Sequence, residues 1–118
     1  MYSMHMDLFR QFNVDTVIDS IGIIGNKLPL CNFFDNVLLG NPSKIAVLVY
    51  NIEGEPLIKT LVFDGSKIHY KLDATKTSDN FVREYSGNKY IKEIQGSQIV
   101  YNLYDDDKFI TKLLSYGN

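Results

Sequence analysis

Along this chain the spacing of apolar residues changes from a helical period to a strand period. Leu30, Phe33, Phe34, Val37 and Leu38 recur at intervals of three and four, so they line one face of a helix predicted over residues 28–39. Pro29 suits its first turn, Gly40 supplies a stop, and Pro42 prevents continuation. A shorter stripe, Met4, Leu8, Phe9 and Phe12, predicts a helix over residues 4–12. Between the two, Thr16 to Ile24 is rich in Val and Ile. It reads as a strand, or as an extended segment broken at Gly22 and Gly25.

After Pro42 the pattern is that of strands. Lys44 to Asn51 is a continuous apolar run, as in a central strand covered on both faces. Glu53-Gly54-Glu55-Pro56 is a turn, and Leu57 to Phe63 is the next strand. Asp64-Gly65 then closes a hairpin into Lys67–Leu72, where Ile68, Tyr70 and Leu72 alternate with Lys67, His69 and Lys71. That alternation predicts one covered and one wet face. Residues 73–80 are a polar loop, Phe81 to Tyr85 a short strand, and Tyr90–Ile94 with Gln98–Tyr104 a further hairpin. Asp105 to Asp107 is placed to cap a closing helix carrying Phe109, Ile110, Leu113 and Leu114, with a terminal strand as the alternative.

These elements predict an α+β fold. An antiparallel β-meander of about five strands carries one main helix on a face, with short terminal helices. No repeat or linker divides the chain, so residues 1–118 read as a single domain. Residues 1–14 form an N-terminal segment, and the unusual composition of Met1–Met6 reads as partly foreign to the native chain.

Composition narrows the function. With 12 Lys and Arg against 14 Asp and Glu, the net charge of −2 makes a nucleic-acid partner unlikely. Lys89 and Lys92 are interrupted by Glu93 and read as a solvated strand face. No apolar run approaches the ~20 residues of a membrane span, and the chain reads as soluble. It carries no signal peptide of its own, which fits the cytoplasm, or export if a leader has been removed. The single Cys31 excludes an intrachain disulfide and reads as a small buried hydrophobe. A nucleophilic role would need His5 or His69 beside it.

Tyr50-Asn51-Ile52-Glu53-Gly54-Glu55-Pro56-Leu57-Ile58, then Leu61-Val62-Phe63-Asp64-Gly65-Ser66-Lys67-Ile68-His69-Tyr70, resembles the bacterial domain-of-unknown-function family 4362. That family shows a Tyr-x-x-Glu-Gly-Asp/Glu-Pro turn followed by an Asp-Gly-x-Lys-Ile-x-Tyr hairpin. Phe33-Phe34-Asp35-Asn36-Val37 with Gly40 resembles its helix, so the likeness spans about residues 15–73. Family members often carry a His-Gly pair near the start, where Ile18 to Gly22 has no His, and often a late cysteine pair and an export signal. The resemblance implies the fold and assigns no activity, so it transfers no functional residue.

The candidate chemistry is sparse. Asp105–Asp107 lacks the alternating ligands, Gly and bidentate Glu of a calcium loop, and no metal site or cofactor is expected. Glu53 and Glu55 flank an exposed turn that does not provide the burial paired carboxylates need for acid–base work. The aromatics Tyr50, Phe63, Tyr70, Tyr85, Tyr90, Tyr101 and Tyr104 lie on or near strands, where packing accounts for most. Tyrosines gathered on the uncovered face would serve a protein interface. The expected function is therefore a non-catalytic domain binding a protein partner through a sheet face or edge, with Tyr70, His69, Tyr101 and Tyr104 as the binding residues. The alternative is a small hydrolase or metal-assisted enzyme using His69 and nearby acids. It requires a hollow joining His69 to a carboxylate with a perturbed pKa.

Overall fold

The structure is a computed structural model that describes residues 13–117. The predicted helix over residues 4–12, the segment Met1–Met6 and His5 lie outside the described residues. The elements run β1 (Thr16–Ile18), β2 (Ile24–Gly25), α1 (Leu28–Leu39), β3 (Ser43–Tyr50), β4 (Pro56–Phe63), β5 (Ile68–Asp73), β6 (Val82–Gly87), β7 (Lys89–Gln95), β8 (Gln98–Asp105) and β9 (Lys108–Gly117). Two sheets result: a large one in the order β2-β1-β3-β4-β5-β6, and a small one in the order β7-β8-β9.

The helix follows its sequence signals. Pro29 stands in its first turn, and Gly40 ends it in the left-handed region at φ 77°, where its N–H reaches back to the carbonyls of Asn36 and Val37. Leu30, Phe33 and Phe34 are buried and Val37 is partly so, but Leu38 is 73% exposed. The contact face is thus narrower than the stripe of five. Cys31 is half-buried.

The antiparallel series β3 to β6 is the expected meander. Val47 pairs with Lys59, Lys59 with Leu72, and Leu72 with Arg83. Two features depart from a five-strand meander. First, β1 inserts parallel to β3, with Val17 opposite Leu48, which makes the large sheet mixed. This occupies both edges of β3 and explains its uninterrupted apolar run: Ile45 and Val47 face the main core, while Leu48 packs with Val14 and Val17 on the opposite face. Second, the chain leaves the large sheet at Gly87 and Asn88. The hairpins β7-β8-β9 become a separate sheet that helps cover the inner face of the large one.

The main core lies between these layers. It joins Leu30, Phe33 and Phe34 of α1 to Ile45, Val47 and Leu61 of the large sheet and to Tyr101, Leu103, Leu113 and Tyr116 of the small sheet. The Phe34 and Tyr101 rings stack at 3.9 Å, and the Tyr90 hydroxyl donates to the Phe34 carbonyl at 3.2 Å.

The predicted closing helix is instead β9. Asp105–Asp107 turn the β8–β9 hairpin, with Asp106 at φ 54° and clamped to Asn88 by two hydrogen bonds of 2.7 and 2.8 Å. The cause of the misreading is visible in the register. Leu114 opposes Tyr101 and Lys112 opposes Asn102, leaving Leu113 as an extra residue; Ile110 is extra in the same way between Phe109 and Thr111. These irregularities break the alternation and give Phe109, Ile110, Leu113 and Leu114 a helix-like spacing.

Candidate functional site

The outer face of the large sheet, opposite the core, collects Lys44, Thr60, Val62, His69, Lys71, Glu84 and Ser86 by strand register. Alternation puts Ile68, Tyr70 and Leu72 inward, so β5 sends His69 and Lys71 outward as its pattern predicts. At the β5–β6 end a hollow of about 230 Å³ is lined by Thr60, Val62, His69, Lys71, Glu84 and Ser86, among others. Beyond it lies β6, whose outer edge pairs with no strand among the described residues.

His69 is held from two sides. Its Nε2 lies 2.9 Å from Asp64 Oδ2, and its Nδ1 lies 3.1 Å from Ser86 Oγ. Asp64 itself is fixed by the β4–β5 turn: its Oδ1 accepts from the amides of Lys67 at 2.7 Å and Ser66 at 2.8 Å. The Lys67 amide, then His69, then the Ser66 amide lower the carboxyl of Asp64 to about 2. Both side chains stay about half exposed, so this ion pair sits in a screened setting.

The four tyrosine and histidine positions expected on one working face are divided by the fold. By register only His69 projects from the outer face of the large sheet, although Tyr70 also lines the hollow there. Tyr70 and Tyr101 are buried, at 3% and 4% exposure, because both fall on inward register positions. Tyr70 stacks on Tyr85 at 5.6 Å, and burial pushes both its phenol and that of Tyr101 upward. Tyr104 is half-buried on the small sheet, edge-on to Phe109 at 5.7 Å. The four residues therefore do not share one face.

Among the remaining acidic candidates, the side chains of Glu55, Asp106 and Asp107 have partners within the fold. Glu55 accepts from the Ser78 amide at 2.9 Å and ties the β3–β4 turn to the loop before β6. Asp107 lies 3.8 Å from Lys89. Among the described residues no group of three or more His, Cys, Asp or Glu is placed to hold a metal ion. No helix among them is long and apolar enough to cross a membrane.

Sequence reasoning missed two residues. Ser86 lies 17 positions from His69, and only the β5–β6 register, His69 opposite Ser86, brings them together. Lys59 belongs to an apolar-looking strand and points inward, where its Nζ donates to the Leu113 carbonyl at 2.8 Å. Burial, then the nearby charge of Lys112, lowers its amine to about 8.

No curated protein and no solved structure matches the chain. The profile described as "Domain of unknown function (DUF4362)" matches residues 13–104, from the segment before β1 through most of β8, and the chain belongs to that family.

Proposed function

We propose that this chain is a non-catalytic binding domain that engages a protein partner at the β5–β6 end of the outer face of the large sheet. The observation that supports it is the hollow beside β6. It combines apolar Val62, a cation in Lys71, an anion in Glu84 and the anchored His69 next to a strand edge that is unpaired among the described residues. An extended segment of a partner can add to such an edge through main-chain hydrogen bonds, with the hollow selecting its side chains. Val82, 46% exposed on the same strand, offers apolar contact.

A second reading, acyl transfer by a small hydrolase, is favoured by one observation. Asp64, His69 and Ser86 form a hydrogen-bonded line with distances of 2.9 and 3.1 Å, and the carboxylate has a perturbed pKa. Its weakness is solvent. Asp64 and His69 are half exposed, so water screens the charges on which a buried relay depends.

The two readings separate in one set of measurements. A photo-crosslinking residue at Val82 is expected to trap one protein in stoichiometric yield, while the same residue at exposed Leu39 on α1 traps none. Equal trapping at both positions, or none at Val82, refutes the binding reading. Covalent labelling of Ser86 by a fluorophosphonate, abolished by His69→Ala, would establish acyl transfer instead.

A further inference from the structure

A second concavity lies away from His69, where the rim of the large sheet meets β9. It measures about 340 Å³, and its lining includes Ser20, Gln98, Lys112 and Ser115. Gly22 closes one side: its carbonyl accepts from the Gly117 amide at 2.7 Å, fastening the β1–β2 loop to the small sheet. The rim carries Ile21 and Ile52, at 76% and 89% exposure, among the most exposed large apolar side chains of the described chain.

From this arrangement we propose that the cleft binds the free C-terminal carboxylate of a peptide partner whose last side chain is aliphatic. The lining is rich in donors. Ser20, Gln98, Lys112 and Ser115 offer two hydroxyls, an amide NH₂ and an ammonium, and none of them makes a side-chain hydrogen bond to another described residue. The only carboxylate in the lining, Asp19, commits Oδ1 to the amides of Ile21 at 3.0 Å and Ile23 at 2.8 Å. A second cation stands behind the first. Lys59 ends on the carbonyl of Leu113, next in sequence to Lys112, and forms no ion pair among the described residues. With Lys59 counted beside Lys112, two cations stand against the single carboxylate of Asp19, a positive balance that suits a carboxylate ligand.

The isoleucines decide what carries that carboxylate. A bare inorganic anion gains nothing from two aliphatic side chains, whereas a terminal Val, Leu or Ile buries its side chain against them. The volume is at the small end of the range for ligand sites, enough for a terminal residue and not for a folded element. Capture of a C-terminal carboxylate by converging donors is a recurrent mode of peptide recognition. This site shares no residue with the His69 hollow, so each can fail without the other.

The test uses the full chain and a peptide library randomised at its last four positions, prepared as free acids and as C-terminal amides. Enrichment of Val, Leu or Ile at the last position is expected, with amidation weakening the selected peptides by about tenfold or more. Lys112→Gln is expected to lose a similar factor, while His69→Ala leaves binding unchanged. Lys92→Gln on β7 serves as a charge control that also leaves it unchanged. The proposal is overturned if no sequence is enriched, if amides bind as well as acids, or if Lys112→Gln binds like the parent while retaining its melting temperature. Isovalerate alone binding as tightly as the selected peptides would assign the site to small acids and overturn the peptide partner.

Discussion

Gly87 has the tightest surroundings of the described glycines, and replacing it by alanine gives the sharpest expectation. The chain passes from β6 to β7 here, and a Cβ on Gly87 would sit 2.4 Å from the Tyr104 carbonyl oxygen, 2.8 Å from Leu103 Cδ1 and 2.9 Å from Leu103 Cγ. An ordinary carbon–oxygen contact is nearly 1 Å longer. The obstacle is backbone of the central strand of the small sheet, so a rotamer change cannot relieve it. The same carbonyl accepts the Asn88 amide at 2.9 Å, and a shift that makes room stretches that bond. Overpacking a tight interior costs about 1–3 kcal/mol, and a compromised buried hydrogen bond adds roughly 1 kcal/mol. Gly87→Ala is thus expected to lose about 3 kcal/mol, a large part of a domain's usual stability. At the usual unfolding entropy per residue, that is a fall in Tm of about 12 °C for a chain of 118 residues. Urea unfolding followed by circular dichroism measures it, with the slope m unchanged if the effect is confined to the native state. Gly54→Ala is the control: its Cβ meets nothing within 4 Å, and only its φ of 80° is disfavoured, so about 1 kcal/mol is expected. A Gly87→Ala loss within about 0.5 kcal/mol would refute the view that close approach of β6 to β8 fixes how the sheets meet.

Two further expectations concern titration. Lys59, lowered to about 8 from 10.5, binds its proton less readily in the folded state, so the unfolded chain holds more protons between about pH 8 and 10.5 and stability rises across that window. At neutral pH the buried ammonium costs at most about 3 kcal/mol. Lys59→Met is therefore expected to gain about 1–2 kcal/mol at pH 7 after losing the bond to Leu113, and to flatten the alkaline slope; a less stable variant at pH 7 would contradict this. Asp64 has the opposite sign. Its folded value of about 2 lies below the ordinary 3.8, so its contribution is complete above about pH 4 and disappears as pH falls toward 2. An NMR titration placing the Asp64 carboxyl at an ordinary value would mean that the turn amides and His69 do not hold it.

Much of the fold was legible in local pattern. The stripe ending at Gly40, the apolar run of β3 and the Asp64-Gly65 turn each encode an element through near neighbours, and each element stands close to where its residues predict it. The alternation in β5 also put His69 on the wet face. The site was legible only to that extent. Tyr70 alternates with His69, and its inward direction followed once one face of β5 was covered; Tyr101 and Tyr104 could not be sorted until the small sheet had a partner layer.

By itself, the sequence determined the helix α1 and the strands β3 to β8, and which face of β5 is apolar, because those depend on periods of 3.6 and 2 between residues a few positions apart. Tertiary structure decided the rest. The parallel insertion of β1 beside β3, the departure into a second sheet at Gly87 and the meeting of Asp64, His69 and Ser86 join residues 5 to 31 positions apart. The irregularities at Ile110 and Leu113 exist only because β9 pairs with β8, and alone they imitate a helix. Long-range pairing is selected by the total surface buried and the total hydrogen bonds closed, quantities that belong to the assembled chain and to no segment of it.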